Sequence, residues 1–333
     1  MQLKYGFISV DDHVQEVPSL WVDRVEKRFR DRAPRLITAK DGAEQWMMDG
    51  RVLLDGRAAR AGALMADRNE DPKRWADVPA PAFTPTERLK AMDSAGIDYS
   101  VLYPTVAGLA GEAFGRLEDA ELEIACVRAY NDWLIDDWKR ASERFIPQCL
   151  VPIWPVEAAI AEIKRAVGRG HRGVIFPSLP MHLRNVPHVS GPEYDPFWSA
   201  CEELGVPVCL HAGASTELQA PLPPAMKPAL AAALDATTKP VSSVFVISLY
   251  SFSRVLLRHP ELRFESDSIR VDGGDVVVDG RLTIKGNTRP VEARGTIVGP
   301  HEDIAGNTKV GLELTAIVDR TEFGLTWHAP LPK

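Results

Sequence analysis

Cysteine is scarce in this chain and forms no pattern. The four cysteines, Cys126, Cys149, Cys201 and Cys209, are scattered and make no CxxC pair, so a disulfide framework is not expected and a reducing cytoplasm fits. Positive charge is also short. The formal net charge is -7, which leaves no basic patch and argues against nucleic acid as a partner. No apolar run approaches the length of a membrane span, and residues 1 to 14 hold no signal-peptide core. What remains is a soluble globular balance, 45% hydrophobic and 26% charged over 333 residues, enough for one large domain or two ordinary ones.

The first chemistry comes early. Lys4 to Val10 reads as a buried strand, rich in aromatic and β-branched residues. It delivers Asp11 and His13, two positions apart, so in an extended segment both point the same way and can grip one metal ion. Asp12 points elsewhere and is expected to hydrogen-bond in the turn. Glu16 is either a hydrogen-bond partner of His13 or an exposed loop carboxylate. A charged helix is expected over Trp21 to Arg30. Residues 31 to 86 show little periodicity, and so long an irregular stretch is expected to cover the mouth of a pocket.

A regular rhythm follows. Helices are expected over Pro85 to Ala95, Glu118 to Ala141, Val156 to Val167 and Asp195 to Leu204, the first and last closed by Gly96 and Gly205. Between them, Tyr99 to Pro104, Phe145 to Pro152, Gly173 to Pro177 and Pro207 to His211 read as strands. Apolar strands alternating with helices indicate a parallel sheet buried on both faces, here a TIM-type (β/α) barrel with its active site at the carboxyl ends of the strands. A further helix is expected over Val241 to Leu257. From Ser268 onward only strands follow: Ser268 to Val271, Asp275 to Lys285, Arg289 to Val298 and Lys309 to Val318. Asp272-Gly273-Gly274, Gly286-Asn287 and Gly306-Asn307 supply the turns, and the grammar is antiparallel with one wet face. The junction is placed at residues 264 to 267.

His211 ends its strand and is followed by Ala212-Gly213, small residues that leave room for a ligand. Alone it reads as a core or capping histidine before a ligand. With Asp11 and His13, three ligand-type residues at barrel strand ends point to a bound divalent cation. His182, Arg184 and His188 share a loop on the same side and are candidates to meet a substrate carboxylate, against simple loop exposure. His171 lies at an amino end, the stability face. A general base would come from a late barrel strand, and no residue is assigned to that role.

Several motifs carry a family resemblance: Val10-Asp11-Asp12-His13-Val14-Gln15-Glu16-Val17-Pro18, Pro85-Thr86-Glu87-Arg88-Leu89-Lys90-Ala91-Met92-Asp93, Gly96-Ile97-Asp98-Tyr99, Ala129-Tyr130-Asn131-Asp132-Trp133-Leu134, Glu193-Tyr194-Asp195-Pro196-Phe197-Trp198 and Leu210-His211-Ala212-Gly213. Across residues 5 to 264 the chain resembles the amidohydrolase-related group that includes aminocarboxymuconate-semialdehyde decarboxylase. The resemblance implies a distorted TIM barrel and a divalent ion, zinc first with manganese or iron(II) as alternatives. It also implies carboxy-lyase or hydrolase chemistry on a small aromatic or enol carboxylate. Asp11, His13 and His211 map onto ligand positions. The family's sixth strand, with its His or Glu, and its eighth, with an aspartate ligand and base, have no counterpart after Leu262-Arg263-Phe264.

Residues 266 to 332 are instead similar to part of a YceI-like, lipocalin-like barrel of the polyisoprenoid-binding kind, on Ser268-Ile269-Arg270-Val271, the run Gly280 to Val291, and Phe323-Gly324-Leu325-Thr326-Trp327. The expected architecture is therefore an incomplete barrel over 1-264 joined to a partial antiparallel segment over 265-333. An open barrel edge favours a homo-oligomer. The rival to an enzyme, one impaired by the lost strands, is a non-catalytic fusion that binds a lipid-like or isoprenoid ligand through its β tail.

Overall fold

The computed structural model describes residues 3–65, 71–211, 228–255, 262–302 and 308–325. Two units divide the chain, Met1–Val246 and Ile247–Lys333. The first contains strands β1 (Ile8–His13), β2 (Arg35–Thr38), β3 (Glu44–Met48), β4 (Arg51–Val52), β5 (Tyr99–Tyr103), β6 (Phe145–Leu150), β7 (Gly173–Ile175) and β8 (Val208–Cys209). Among them lie helices α1 (Leu20–Arg24), α2 (Ala80–Phe83), α3 (Pro85–Ala95), α4 (Glu112–Gly115), α5 (Ala120–Trp133), α6 (Val156–Arg169) and α7 (Asp195–Leu204). Helix α8 (Pro228–Tyr250) spans the division. Strands β9 (Leu262–Asp272), β10 (Asp275–Ile284), β11 (Asn287–Glu302) and β12 (Thr308–Thr315) follow.

Five strands pair in parallel in the order β1-β5-β6-β7-β8. This is half of a TIM-type barrel wall, with Leu102, Phe145, Leu150, Val174 and Ile175 fully buried in it, as expected of strands with helices packed on the outside. Gly96 and Gly205 end α3 and α7 in the left-handed conformation, at φ 69° and 62°, a geometry that costs glycine nothing. Helix α5 continues as a π-helical turn over Leu134–Lys139.

Two carboxylates fasten β1 to β5, one at each end. Before the strands, Asp98 accepts the main-chain N–H groups of Lys4, Tyr5, Gly6 and Phe7 at 2.7–3.3 Å. Those residues are thereby taken out of the ladder, which is why β1 begins at Ile8 and not at the expected Lys4. After the strands, Glu16 accepts N–H groups from Thr105, Val106 and Ala107, the shortest at 2.8 Å. Glu16 is completely buried. It is neither an exposed loop carboxylate nor a partner of His13, because the loop after β5 folds around it.

The segment 31 to 86, expected to be irregular, contains a three-stranded antiparallel sheet of β2, β3 and β4. Asp49 and Gly50 both take positive φ, 47° and 78°, and link β3 to β4 as an Asp-Gly hairpin turn. Trp46 anchors this sheet in the main core. It is fully buried, its indole N–H donates to Ala58 O at 2.8 Å, and it meets Trp21 edge-on at 5.9 Å. The expected helix over Trp21 to Arg30 is shorter, since the chain turns extended at Val25 (ψ 156°) and resumes as a 3-10 turn over Lys27–Phe29.

In the second unit, β12-β11-β10-β9 form an antiparallel sheet. Its register gathers one apolar face. Val276 and Val278 of β10 stand opposite Val271 and Ile269 of β9 and opposite Gly295 and Ala293 of β11. Ile297 and Leu314 pack against Val276, Val278 and Ala293. The alternate positions are charged, as in Arg270–Asp279 and Arg281–Asp267. The junction read at 264 to 267 falls inside β9. Leu262-Arg263-Phe264 thus pair in this sheet and do not start a sixth parallel strand. The Gly306-Asn307 turn, Thr326-Trp327 and Ala212-Gly213 lie outside the described residues.

Candidate metal centre

Asp11 and His13 end β1, and His211 follows β8 by two residues. Although β1 and β8 are the two outer strands of the sheet, these side chains meet. His13 Nε2 is 3.0 Å from His211 Nε2, His211 Nε2 is 3.1 Å from Asp11 Oδ1, and His13 Nε2 is 3.4 Å from the same oxygen. The register of β1 on β5 shifts between Ser9 and Asp12, an irregularity that re-aims the end of the strand.

One hydrogen bond decides the chemistry of this cluster. His13 Nδ1 lies 2.6 Å from Pro104 O. A carbonyl only accepts, so Nδ1 carries the proton and the neutral ring presents a lone pair at Nε2. That lone pair faces a second imidazole nitrogen and a carboxylate oxygen. Three electron-rich atoms at such separations repel unless a proton or a cation lies among them, and two nitrogens with one oxygen suit a first-row divalent ion. The residues therefore fit a metal. Among the described residues, no other group of His, Cys, Asp and Glu comes together in this way.

The imidazoles of His13 and then His211 hold the Asp11 carboxyl well below the usual carboxylate range, against the effect of burial. Asp11 is 63% exposed and His211 15%, so the cluster opens to solvent on the aspartate side. Tyr103, at the end of β5, closes the other side. Its ring centroid lies 5.9 Å from that of His13 and 5.7 Å from that of His211, and burial pushes its hydroxyl far above the usual phenol range.

The remaining expectations fall elsewhere. Asp12 bonds across the strand pair, accepting from Ser100 Oγ at 2.5 Å, and not within the turn. Arg184 points into the protein. It donates to Glu123 Oε2 at 2.9 Å, to Leu117 O and to Trp154 O, and its side chain is 8% exposed. Burial raises the Glu123 carboxyl to about 7, with Arg184 opposing. His188 is exposed and bonds Ser190 Oγ at 2.5 Å, and His182 is exposed on a 3-10 turn. His171 is buried against Asn131 O at 3.0 Å, and burial lowers its pKa to about 4. Tyr103, Pro104 and Arg88, whose guanidinium donates to His13 O at 2.8 Å, also belong to the site. In the sequence, Tyr103 and Pro104 are marked only by their position at the end of β5, and Arg88 only by its motif in the first turn of α3.

Comparison with known proteins gives two matches along the chain. The family described as Amidohydrolase matches residues 24–265, and the YceI-like domain matches residues 256–333. Gamma-resorcylate decarboxylase of Rhizobium radiobacter is 30% identical over 127 residues, 37% of this chain and 37% of that protein. A UPF0312 protein of Pectobacterium atrosepticum is 30% identical over 69 residues, 21% of this chain and 36% of that protein. The matches thus span little more than a third of these curated relatives. Among solved structures, an amidohydrolase from Mycobacterium avium subsp. paratuberculosis superimposes with a TM-score of 0.56 at 24% identity, covering 78% of this chain and 72% of the other. That likeness is one of fold.

Proposed function

This chain belongs to the amidohydrolase family, joined to a YceI-like segment, and on that premise we propose that Asp11, His13 and His211 hold a divalent cation for carboxy-lyase or hydrolase chemistry on a small aromatic or enol carboxylate. The observation that carries this reading is the meeting of three ligand atoms within 3.4 Å, one of them a histidine nitrogen whose tautomer is fixed by Pro104 O. The family implies a divalent metal. Zinc is the first choice for this donor set, with manganese and iron(II) as alternatives. The cation, when bound, supplies a Lewis acid that polarises a substrate oxygen or acidifies a water.

The chain's own residues define the rest. Pro104 O keeps the His13 proton at Nδ1, away from the cluster. Asp11 stays ionised and offsets positive charge on its open side. Tyr103 excludes water from beneath the two imidazoles. The exposed flank at Asp11 is where a substrate enters. His182 and His188 are retained as candidate contacts for its carboxylate. Arg184, spent on Glu123 and two carbonyls, contributes by holding that loop in place. The described residues supply three metal-binding side chains and no late-strand base, so we expect slow turnover. The similarity to gamma-resorcylate decarboxylase makes carbon dioxide release from hydroxybenzoates the first assay, with lactones and amides as the hydrolytic arm. Metal-dependent product from either arm supports the reading. A zinc- or manganese-loaded chain inert on both arms refutes catalysis and leaves a metal-binding protein.

A second reading draws on the continuous apolar face of the β9–β12 sheet. In it the tail binds a lipid-like or isoprenoid ligand, with a second copy of the chain completing the enclosure, and the first unit is not catalytic.

A further inference from the structure

Residue His13 is the last of β1, and its main chain shows an arrangement separate from its imidazole. Val14 N–H donates to Tyr103 O at 2.9 Å, toward β5. Successive residues of a strand direct their main-chain groups to opposite sides, so His13 C=O and Gln15 N–H point off the free edge of the sheet. Among the described residues, no strand pairs with β1 there. Instead, Gln15 N–H donates to Ala82 O at 2.9 Å. The Arg88 guanidinium reaches His13 O at 2.8 Å, Pro81 O at 2.6 Å and Ala82 O at 3.4 Å. The segment before α3 and one arginine from its first turn stand in for a neighbouring strand.

The choice of residue is informative. All three of these bonds go to carbonyls, and among the described residues no carboxylate bonds Arg88. Asp12, itself bonded to Ser100, provides the opposing charge at longer range. Arg88 also lies over the Trp138 ring, 5.5 Å from its centroid. A cation placed among carbonyls, without a bonded counter-ion, is costly for stability alone. Its planar fork, however, can hold several acceptors at once in fixed directions, which a lysine cannot do. The carbonyl it grips belongs to the residue whose imidazole must meet His211.

We infer that Arg88 is the positioning residue of the metal strand: by fixing the His13 carbonyl it sets the direction of the His13 ring, and through it the affinity for the cation. This rests on the proposed role of Asp11, His13 and His211 as ligands. It goes beyond that role by giving the free edge of β1 a defined function.

The test uses the full chain with Arg88→Lys and Arg88→Met. Zinc affinity is measured by competition with a chromophoric chelator, and the Co2+ d–d spectrum reports ligand geometry. An outer partner of a metal ligand affects affinity by about 10- to 100-fold, so both variants are expected to weaken zinc binding at least about 10-fold and to alter the Co2+ spectrum. Arg88→Lys, which keeps the charge but not the fork, should not rescue either. Variants that bind zinc within twofold of the wild type with an unchanged spectrum overturn the inference and leave the metal reading standing. If Arg88→Met does not fold, Arg88→Lys decides alone. A wild type that binds neither zinc nor cobalt refutes the metal reading instead. In that case the nitrogen-15 spectrum of the metal-free His13 ring still reports on Arg88: a protonated Nδ1 that persists in Arg88→Lys contradicts positioning, and its loss supports it.

Discussion

The two ends of the β1–β5 pair use the same device in different surroundings. At the entry, Asp98, itself buried, gathers the N–H groups of residues 4 to 7, which are exposed. At the exit, Glu16 gathers those of Thr105, Val106 and Ala107, which are buried along with the glutamate itself. The bonds are alike, yet their contributions differ because water can replace an acceptor only at the entry. An unmade bond in the interior incurs the full desolvation penalty of the group left behind. The buried end is also the one that carries His13 and Pro104. Rigidity is concentrated where the ligand atoms must meet.

The largest effect expected from this contrast is that of Glu16→Ala. It leaves three buried amides without an acceptor, and a loss of about 3–5 kcal/mol in chemical denaturation follows from about 1–3 kcal/mol per orphaned group with partial relaxation. A loss near zero would mean that the loop after β5 is held by other means.

Titration of the same residue gives the next effect. Burial, opposed by the amide hydrogen bonds, raises the Glu16 carboxyl to about 7 from an ordinary 4.5. The folded chain therefore holds this proton more tightly than the unfolded chain. The associated stability is fully present below about pH 4.5 and is lost as pH rises through about 7, amounting to about 1–3 kcal/mol. Glu16→Gln should flatten this part of the stability–pH curve. Glu123, also raised to about 7, contributes with the same sign. His171, lowered to about 4, opposes them, because its contribution is lost as pH falls below its ordinary 6.5. The comparison of wild type with Glu16→Gln isolates the one group. A curve unchanged by the substitution would sink the assignment.

The smallest effect belongs to the entry. Asp98→Ala should destabilise less than Glu16→Ala, since solvent takes up the released amides of residues 4 to 7. Its trace should instead be faster hydrogen exchange at Tyr5 and Gly6. Equal losses for the two alanine variants would erase the distinction between the ends.

Much of this frame could be read directly. Strand β5 and helices α3 and α7 lie where apolar runs and closing glycines place them, since those signals are local. The convergence of Asp11, His13 and His211 followed from residue type and strand ends alone. What escaped depends on distant partners. The start of β1 is set by Asp98, more than ninety residues away in sequence. The burial of Glu16 depends on a loop that forms only once β5 is paired. Arg88 stood inside a recognisable motif, but nothing in its neighbours says that it reaches the His13 carbonyl. The sheet within 31 to 86 was legible in principle from Asp49-Gly50, a turn signal outweighed by the weak periodicity around it.

One cation is proposed to join the two outer strands of a half barrel. Metal content per chain, measured by plasma mass spectrometry after purification without chelator for the wild type and His211→Ala, bears on this without any assay of turnover. About one zinc, manganese or iron per wild-type chain and close to none in the variant are expected, since one of three ligands is removed. A wild type without metal, or a variant that retains it in full, would rule out a cation held between Asp11, His13 and His211.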